Sequence, residues 1–439
     1  MILKSTTFAR RLGILLLALA IIVPCSVAAP PTLTTLYNFT DLGDGGFPEA
    51  GLVMSTAGVF YGTTSGGAMG WGTVFELIPA NGGATYTEKT LYSFTGGADG
   101  AQPVAGLVIG KNNVLYGTTY AGGAWGYGTV FQVAPAQGGV WTERVLYSFK
   151  GGNDGAYPAG GLVLNSSGVL YGTTYGGGVT GLGAIFQVAP GAGGVWTERT
   201  LYSFLGGTDG AYPIADLTLN SAGVLYGATS QGGSITNSSG TYSNWGLIFQ
   251  LAPAGGGVWN ESILYTFTGG ADGGTPESAL ILGPSNVLYG STFWGGTGVC
   301  PVSGFPQGCG TVFQLAPSTG GGAWTESVLY SFTGRSPDGA HPYKNMAFNS
   351  SGIFGTTYAG GAQIDICFPE GYPGCGTMFK LKSPSAPGGA WTKSNLIVFI
   401  GDNGGAPTGL VLNSSGSAFG TTLMGGTSLG YGTAYVMKP

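Results

Sequence analysis

Charge is what this chain has least of. Only 8% of its residues are Asp, Glu, Lys or Arg, and His341 is the single histidine among 439 residues. One imidazole cannot build a multi-histidine metal centre, and no serine, histidine and acid combine into a recognisable triad around it. Basic residues number 14 against 19 acidic, a formal charge of −5. An acidic surface repels phosphate backbones, so nucleic acid is not an expected partner. Long hydrophobic runs are missing too. The longest, Leu12 to Val23, falls short of the roughly 20 residues that a membrane-spanning helix needs. The many Gly-Gly pairs precede no helical pattern, so they read as turns and not as phosphate-binding loops.

That short run follows Lys4, Arg10 and Arg11 and is followed by Ser26-Val27-Ala28. Positive residues, an apolar stretch and a small-residue cleavage site make a secretory signal over residues 1–29. Its removal leaves 11 basic residues against 19 acidic and a formal charge of −8. The expected product is secreted or periplasmic, with no membrane span after cleavage and no export route specified.

Cysteine is also sparse. Beyond Cys25, four remain, Cys300 and Cys309 in one repeat and Cys367 and Cys375 in the next. Of the possible pairings, proximity favours the two local disulfides, each closing a short loop worth at most about 2.5 kcal/mol. The alternative, a metal site, lacks histidine partners.

Against these shortages stand 88 glycines and 12% aromatic residues, arranged in a repeat. Tyr61, Tyr116, Tyr171, Tyr226, Tyr289, Phe354 and Phe419 each sit in a Leu-Tyr-Gly-Thr-Thr-like segment, at steps of 55 to 65 residues. Periods in this range belong to propellers, solenoids or arrays. Repeats start near 51, 106, 161, 216, 279, 346 and 409, and each carries four short β-rich runs between Gly, Pro, Asn and Ser clusters. Asn-Ser-Ser-Gly turns, as at Asn165 to Gly168, join the first two runs. The last copy stops at Gly432 to Val436 and lacks a fourth strand, while Thr35-Leu36-Tyr37-Asn38-Phe39 supplies one ahead of the first copy. This permutation closes a ring and leaves no sheet edge. The expected fold is all-β: a single seven-bladed β-propeller over residues 30–439, of four-stranded antiparallel blades, with the N-terminal strand joining the C-terminal blade.

The double glycine after the second strand and the Trp before the fourth resemble kelch repeats. Leu146 to Phe149 (Leu-Tyr-Ser-Phe), Asp154 to Pro158 (Asp-Gly-Ala-Tyr-Pro), Gly161 to Leu164 and Leu170 to Thr174 together resemble the Gloeo/Verruco tandem repeat of bacterial choice-of-anchor GloVer-containing proteins. The resemblance runs over residues 33 to 439. It implies an exported bacterial repeat protein of undefined function, often held at the surface by a C-terminal segment. Here Lys438-Pro439 follows the last strand directly, which favours a form that is not anchored.

On such a ring, the loops between strands two and three and between blades share one face. That face collects the insertions near residues 234–244, 297–308 and 363–374 and the aromatics Trp71, Tyr120, Trp125, Tyr127, Tyr175, Trp294 and Tyr358, which are the candidate ligand-binding residues. Asp216 joins them, because it stands where Gly51, Gly106 and Gly161 open other innermost strands and so points to the central channel. Most other acids are structural. The Asp of each Asp-Gly turn satisfies turn amides, and no Asp-X-Asp-X-Asp loop offers calcium its several oxygens. The expected function is a non-enzymatic, monomeric binding module for an extracellular glycan or surface protein, without metal or cofactor. A structural surface module without a small ligand is one alternative. A carbohydrate-active enzyme is the other, if Asp216, Asp365, Glu370 or His341 converge on one pocket.

Overall fold

The computed structural model describes residues 29–439, apart from short stretches at 68, 84, 234, 237–241, 301–307, 319, 321, 363–366, 368–372, 387–388 and 427–429. The expected signal segment, Asp365 and Glu370 therefore lie outside the described residues. From Pro31 to Pro439 the chain is one compact unit.

Seven antiparallel sheets form the blades. In blade 2 the strands are Val108–Ile109, Leu115–Thr119, Thr129–Pro135 and Trp141–Ser148, innermost to outermost, and blades 1 and 3 to 5 repeat this order. Blade 6 differs in splitting its innermost strand into Gly339–Pro342 and Ala347–Asn349, which both pair with Gly352–Gly360. Blade 7 combines Gly405–Leu412, Ala418–Met424 and Thr433–Lys438 with Thr32–Asn38 from the other end of the chain. The closing strand pairs Leu33 with Met437 and Asn38 with Thr433. Disulfides join Cys300 to Cys309 and Cys367 to Cys375.

Blades are joined by the same contacts all round the ring. A fully buried Phe beyond each outermost strand meets an aromatic on the third strand of the next blade edge to face. Phe94 with Phe131 and Phe149 with Phe186 are examples, and Phe399 with Tyr435 and Phe39 with Phe75 continue the series through the closure. Each such pair adds about 0.5–1.5 kcal/mol beyond its buried area. The glycine of Leu-Tyr-Gly-Thr-Thr makes room for the third-strand ring, since a Cβ on Gly117 would lie 2.6 Å from Phe131 Cζ.

A second joint uses the residue before each proline of the blade entry. Phe47, Gln102, Tyr157, Tyr212, Thr275, His341 and Ala406 all take left-handed φ between 51° and 59°. Each donates its backbone N–H to a carbonyl of the preceding blade, as in Gln102 to Trp71 at 2.8 Å, His341 to Cys309 at 2.7 Å and Phe47 to Tyr431 at 2.9 Å. Non-glycine residues adopt this conformation at a cost of roughly 1–2 kcal/mol, so the seven inter-blade bonds hold it in place.

The Asp of each Asp-Gly turn has the structural role read from the sequence. Asp99 accepts from the Thr95 backbone (2.7 Å), the Thr95 hydroxyl (2.6 Å) and the Tyr92 hydroxyl (3.0 Å). Tyr and Asp recur together in six blades and are lost together in the seventh, where Ile397 and Asn403 stand instead.

Candidate functional site

Bridges between Ala101 and Ala121, Ala156 and Gly176, and Gly274 and Trp294 tie the inter-blade loops to the loops after the second strands. Both loop sets therefore share one face, and the axis opens there into a cavity of about 380 Å³. Glu49, Tyr120, Tyr175, Tyr343 and Lys344 line it, together with Gln102 and the apolar Val104, Ala159 and Ile214. Glu49, Val104, Ala159, Ile214, Glu277 and Tyr343 all follow the entry proline of their blades, so the ring converts one variable column of the repeat into the wall of the axis.

Two residues after Ile214, Asp216 accepts hydrogen bonds from Gly161 N at 2.5 Å and Asn345 Nδ2 at 2.9 Å. It thereby ties blades 3, 4 and 6 together across the axis. Lys344, left-handed at φ 58° beside Asn345, stacks its ammonium 5.1 Å over the Tyr343 ring. Burial opposes its charge, but Tyr343, Glu49, Asp216 and Glu277 hold its pKa above the ordinary lysine value. Burial pushes Glu277 up to about 7, with Lys344 pulling the other way. Among the described residues, neither Glu49 nor Glu277 has a hydrogen-bond partner. The axis thus presents one ammonium, two carboxyls with free acceptor capacity and three tyrosines, at a site built from five blades.

The aromatic residues singled out in the sequence fall into three pairs, with Trp125 apart. Tyr120 and Tyr175 line the cavity, each with one ring face taken by the next blade: Tyr120 stacks on Tyr157 at 5.2 Å and Tyr175 on Tyr212 at 4.8 Å. Trp71 and Tyr127 lie against backbone, since a Cβ on Gly96 would sit 2.5 Å from the Trp71 ring and one on Gly151 2.8 Å from Tyr127. Trp294 and Tyr358 belong to an aromatic cluster with Phe293, His341 and Tyr343. Trp125 is the most open of these at 61% exposure, with Trp71 at 43% and Tyr127 at 36%.

His341 is a packed member of that cluster. Its ring stacks on Phe293 at 4.5 Å, its Nδ1 lies 2.9 Å from the Phe293 carbonyl and its Nε2 3.5 Å from Cys300 Sγ. Burial lowers its pKa to about 4, so the ring is neutral at physiological pH. Among the described residues, no three His, Cys, Asp or Glu side chains come together as a metal site.

Of the residues singled out in the sequence, Tyr120 and Tyr175 line the axial cavity and Asp216 lies beside it, whereas Glu49, Glu277, Tyr343 and Lys344 were not singled out. For Glu49, Glu277 and Tyr343 the signal was the variable position after the entry proline, read down the repeats as a column; Lys344 lies one residue beyond it.

The fold and site define a seven-bladed propeller with a polar axial cavity on its loop face. The model of the Gloeobacter/Verrucomicrobia repeat matches residues 26–242 and 234–439, and the chain belongs to that repeat family. No curated protein matches the sequence. Among solved structures, the chain is similar to a Thermus thermophilus oxidoreductase described as a glucose dehydrogenase. The match has 13% identity and a TM-score of 0.43, over 93% of this chain and 100% of that one. It is likewise similar to the calcium structure of a Trichoderma reesei enzyme of carbohydrate-active family AA12, with 13% identity and a TM-score of 0.40, over 93% and 97% of the two chains. At this level of similarity neither bears on function.

Proposed function

We propose that the protein is an exported, non-enzymatic binding module that takes the end of a glycan into the axial cavity of its loop face. The observation that carries this is the 380 Å³ cavity, in which Tyr120 and Tyr175 stand beside Glu49 and Lys344. Carboxylate oxygens without partners accept hydrogen bonds from sugar hydroxyls, the ammonium donates to ring and hydroxyl oxygens, and tyrosine flanks supply apolar contact. Binding is favoured over catalysis because Asp216 is already engaged by Gly161 and Asn345, and His341 is buried against Phe293 and Cys300. Export is supported by the signal-like N-terminus and by two disulfides, which persist in oxidising compartments. Among the described residues no helix is long and apolar enough to cross a membrane.

A glycan array probed with the purified protein and with Lys344→Met tests this reading. Saturable binding to a defined glycan set, lost in Lys344→Met, is the expected result. Binding that is indifferent to Lys344, or capture of no glycan by folded protein, contradicts it.

A further inference from the structure

The outer strands on the opposite side of the repeat carry a second, independent pattern. The residue after Trp-Thr-Glu or its equivalent is Lys89, Arg144 and Arg199 in blades 1 to 3, and Ser262 and Ser327 in blades 4 and 5. The basic residues strap each blade to the turn of the next. Lys89 Nζ donates to the Gly139 carbonyl at 3.3 Å and Arg144 Nη2 to the Gly194 carbonyl at 2.7 Å, while the Arg199 guanidinium packs against Gly257, where an added Cβ would lie 2.7 Å from it. Serine is too short to span that gap. Serine holds this place at three junctions, and at two of them, those of Ser262 and Ser327, an uncharged groove is open; at the third, Ser394 pairs with Lys380, which lines a smaller cavity there.

The two grooves are built alike. Between blades 4 and 5, about 380 Å³ is bounded by Gln250, Ser262, Ile263, Pro317, Ser318 and Trp324. Between blades 5 and 6, about 620 Å³ is bounded by Gln314, Ser327, Val328, Ser383, Pro384 and Trp391. Gln250 pairs with Ser262 and Gln314 with Ser327 across the strands, as Gln132 pairs with Arg144 at a strapped junction. Neither Gln250 nor Gln314 has a side-chain partner among the described residues. In the first groove Ser318 Oγ is buried and has no hydrogen-bond partner, a cost that a bound hydroxyl or amide would remove. Among the described residues, no charged side chain lines either groove.

We infer that these two grooves are subsites for an uncharged oligosaccharide chain that crosses blades 4 to 6. A part-buried Trp in each, Trp324 against Tyr226 and Trp391 against Tyr289, lends its remaining open surface to the C–H face of a pyranose. The glutamine amides and serine hydroxyls match its hydroxyls. Lack of charge disfavours anionic or cationic polymers, and two equivalent subsites on successive blades suit a ligand that repeats.

The test is titration of the purified protein with linear neutral hexasaccharides of β-1,4-linked glucose, mannose and xylose, followed by heat and Trp fluorescence. Ser262→Arg and Ser327→Arg restore the strap that blades 2 and 3 already carry, and a Gln250→Ala, Gln314→Ala pair removes the amides without adding bulk; melting curves check folding. At least one hexasaccharide is expected to bind. Each strap variant should weaken it about tenfold and the double variant should abolish measurable binding. Tyr120→Ala with Tyr175→Ala should leave it unchanged, which separates this face from the axial cavity. Undiminished affinity in both the double strap variant and the glutamine pair overturns the inference. So does binding of a proline-rich peptide with no hexasaccharide bound, or absence of binding by all three sugars at millimolar concentration.

Discussion

Lys393 donates to the Asp338 carboxylate at 2.5 Å, and its place in the repeat is held by glutamate at five other blade junctions. Glu88, Glu143, Glu198, Glu261 and Glu326 each face the turn Asp of the neighbouring junction instead of pairing with a base. Burial first, with the nearby Asp adding to it, raises four of them to about 7 and Glu198 to about 8. Oε1 of Glu143, Glu261 and Glu326 is buried without a partner.

This arrangement gives stability a definite pH dependence. Unfolded, these carboxyls titrate near 4.5; folded, they hold their protons to about 7 or 8. The folded state binds more protons in between, so stability is fully present below about 4.5 and falls as pH rises to about 8. His341 acts oppositely, from about 4 folded to 6.5 unfolded, but it is one group against these five and Glu277, which is also raised to about 7. Thermal melts across pH 4 to 9 should show a melting temperature that declines with pH and levels off at the top. A melting temperature rising toward pH 8 would contradict this.

Replacing one glutamate by the residue found at the Lys393 junction should relieve that junction. Glu143→Lys is expected to pair with Asp99 and to raise stability at pH 8 by about 0.5–1 kcal/mol, with no gain when Asp99 is also Asn. Denaturant unfolding at pH 8 measures it.

Gly128 opens the third strand where two blades meet. An added Cβ would lie 2.3 Å from the Thr119 carbonyl and 2.7 Å from Pro158 Cδ, at φ +94°. Gly128→Ala should cost at least about 3 kcal/mol through overpacking of an interface that has no slack. Gly138→Ala, at φ +78° in open space, should cost only about 1 kcal/mol. Chemical denaturation of the two variants side by side gives the comparison.

Ring closure predicts a different kind of loss. A chain beginning after Phe39 lacks the strand that pairs with Thr433–Lys438 and the ring that meets Phe75. It should lose cooperative unfolding and expose apolar surface to a reporter dye, whereas Phe39→Ala should stay folded at a cost of about 3–5 kcal/mol.

The blades were legible because the repeat is strict. Leu-Tyr-Gly-Thr-Thr, Asp-Gly and the displaced Leu36-Tyr37 strand fix strand order and closure without any long-range information. Asp216 was legible because it breaks a glycine column. Glu49 and Lys344 were not. They lie far apart in the chain, Glu49 in a column that reads Glu, Val, Ala, Ile, Glu, Tyr with no periodic signal and Lys344 one residue beyond that column, and only the ring brings them together. The aromatic residues show the other limit. Sequence marks Trp71 and Tyr127 as apolar and on loops, but whether their rings rest on Gly96 and Gly151 or stand free depends on backbone approach that composition does not encode.

The most direct test of the axial site is the affinity of a glycan-array ligand for Tyr120→Ala with Tyr175→Ala, measured beside Trp125→Ala. The axial account predicts that the tyrosine pair loses affinity by at least about tenfold, while Trp125→Ala binds as the unaltered protein does. Loss confined to Trp125→Ala would place the ligand on the rim and contradict the account.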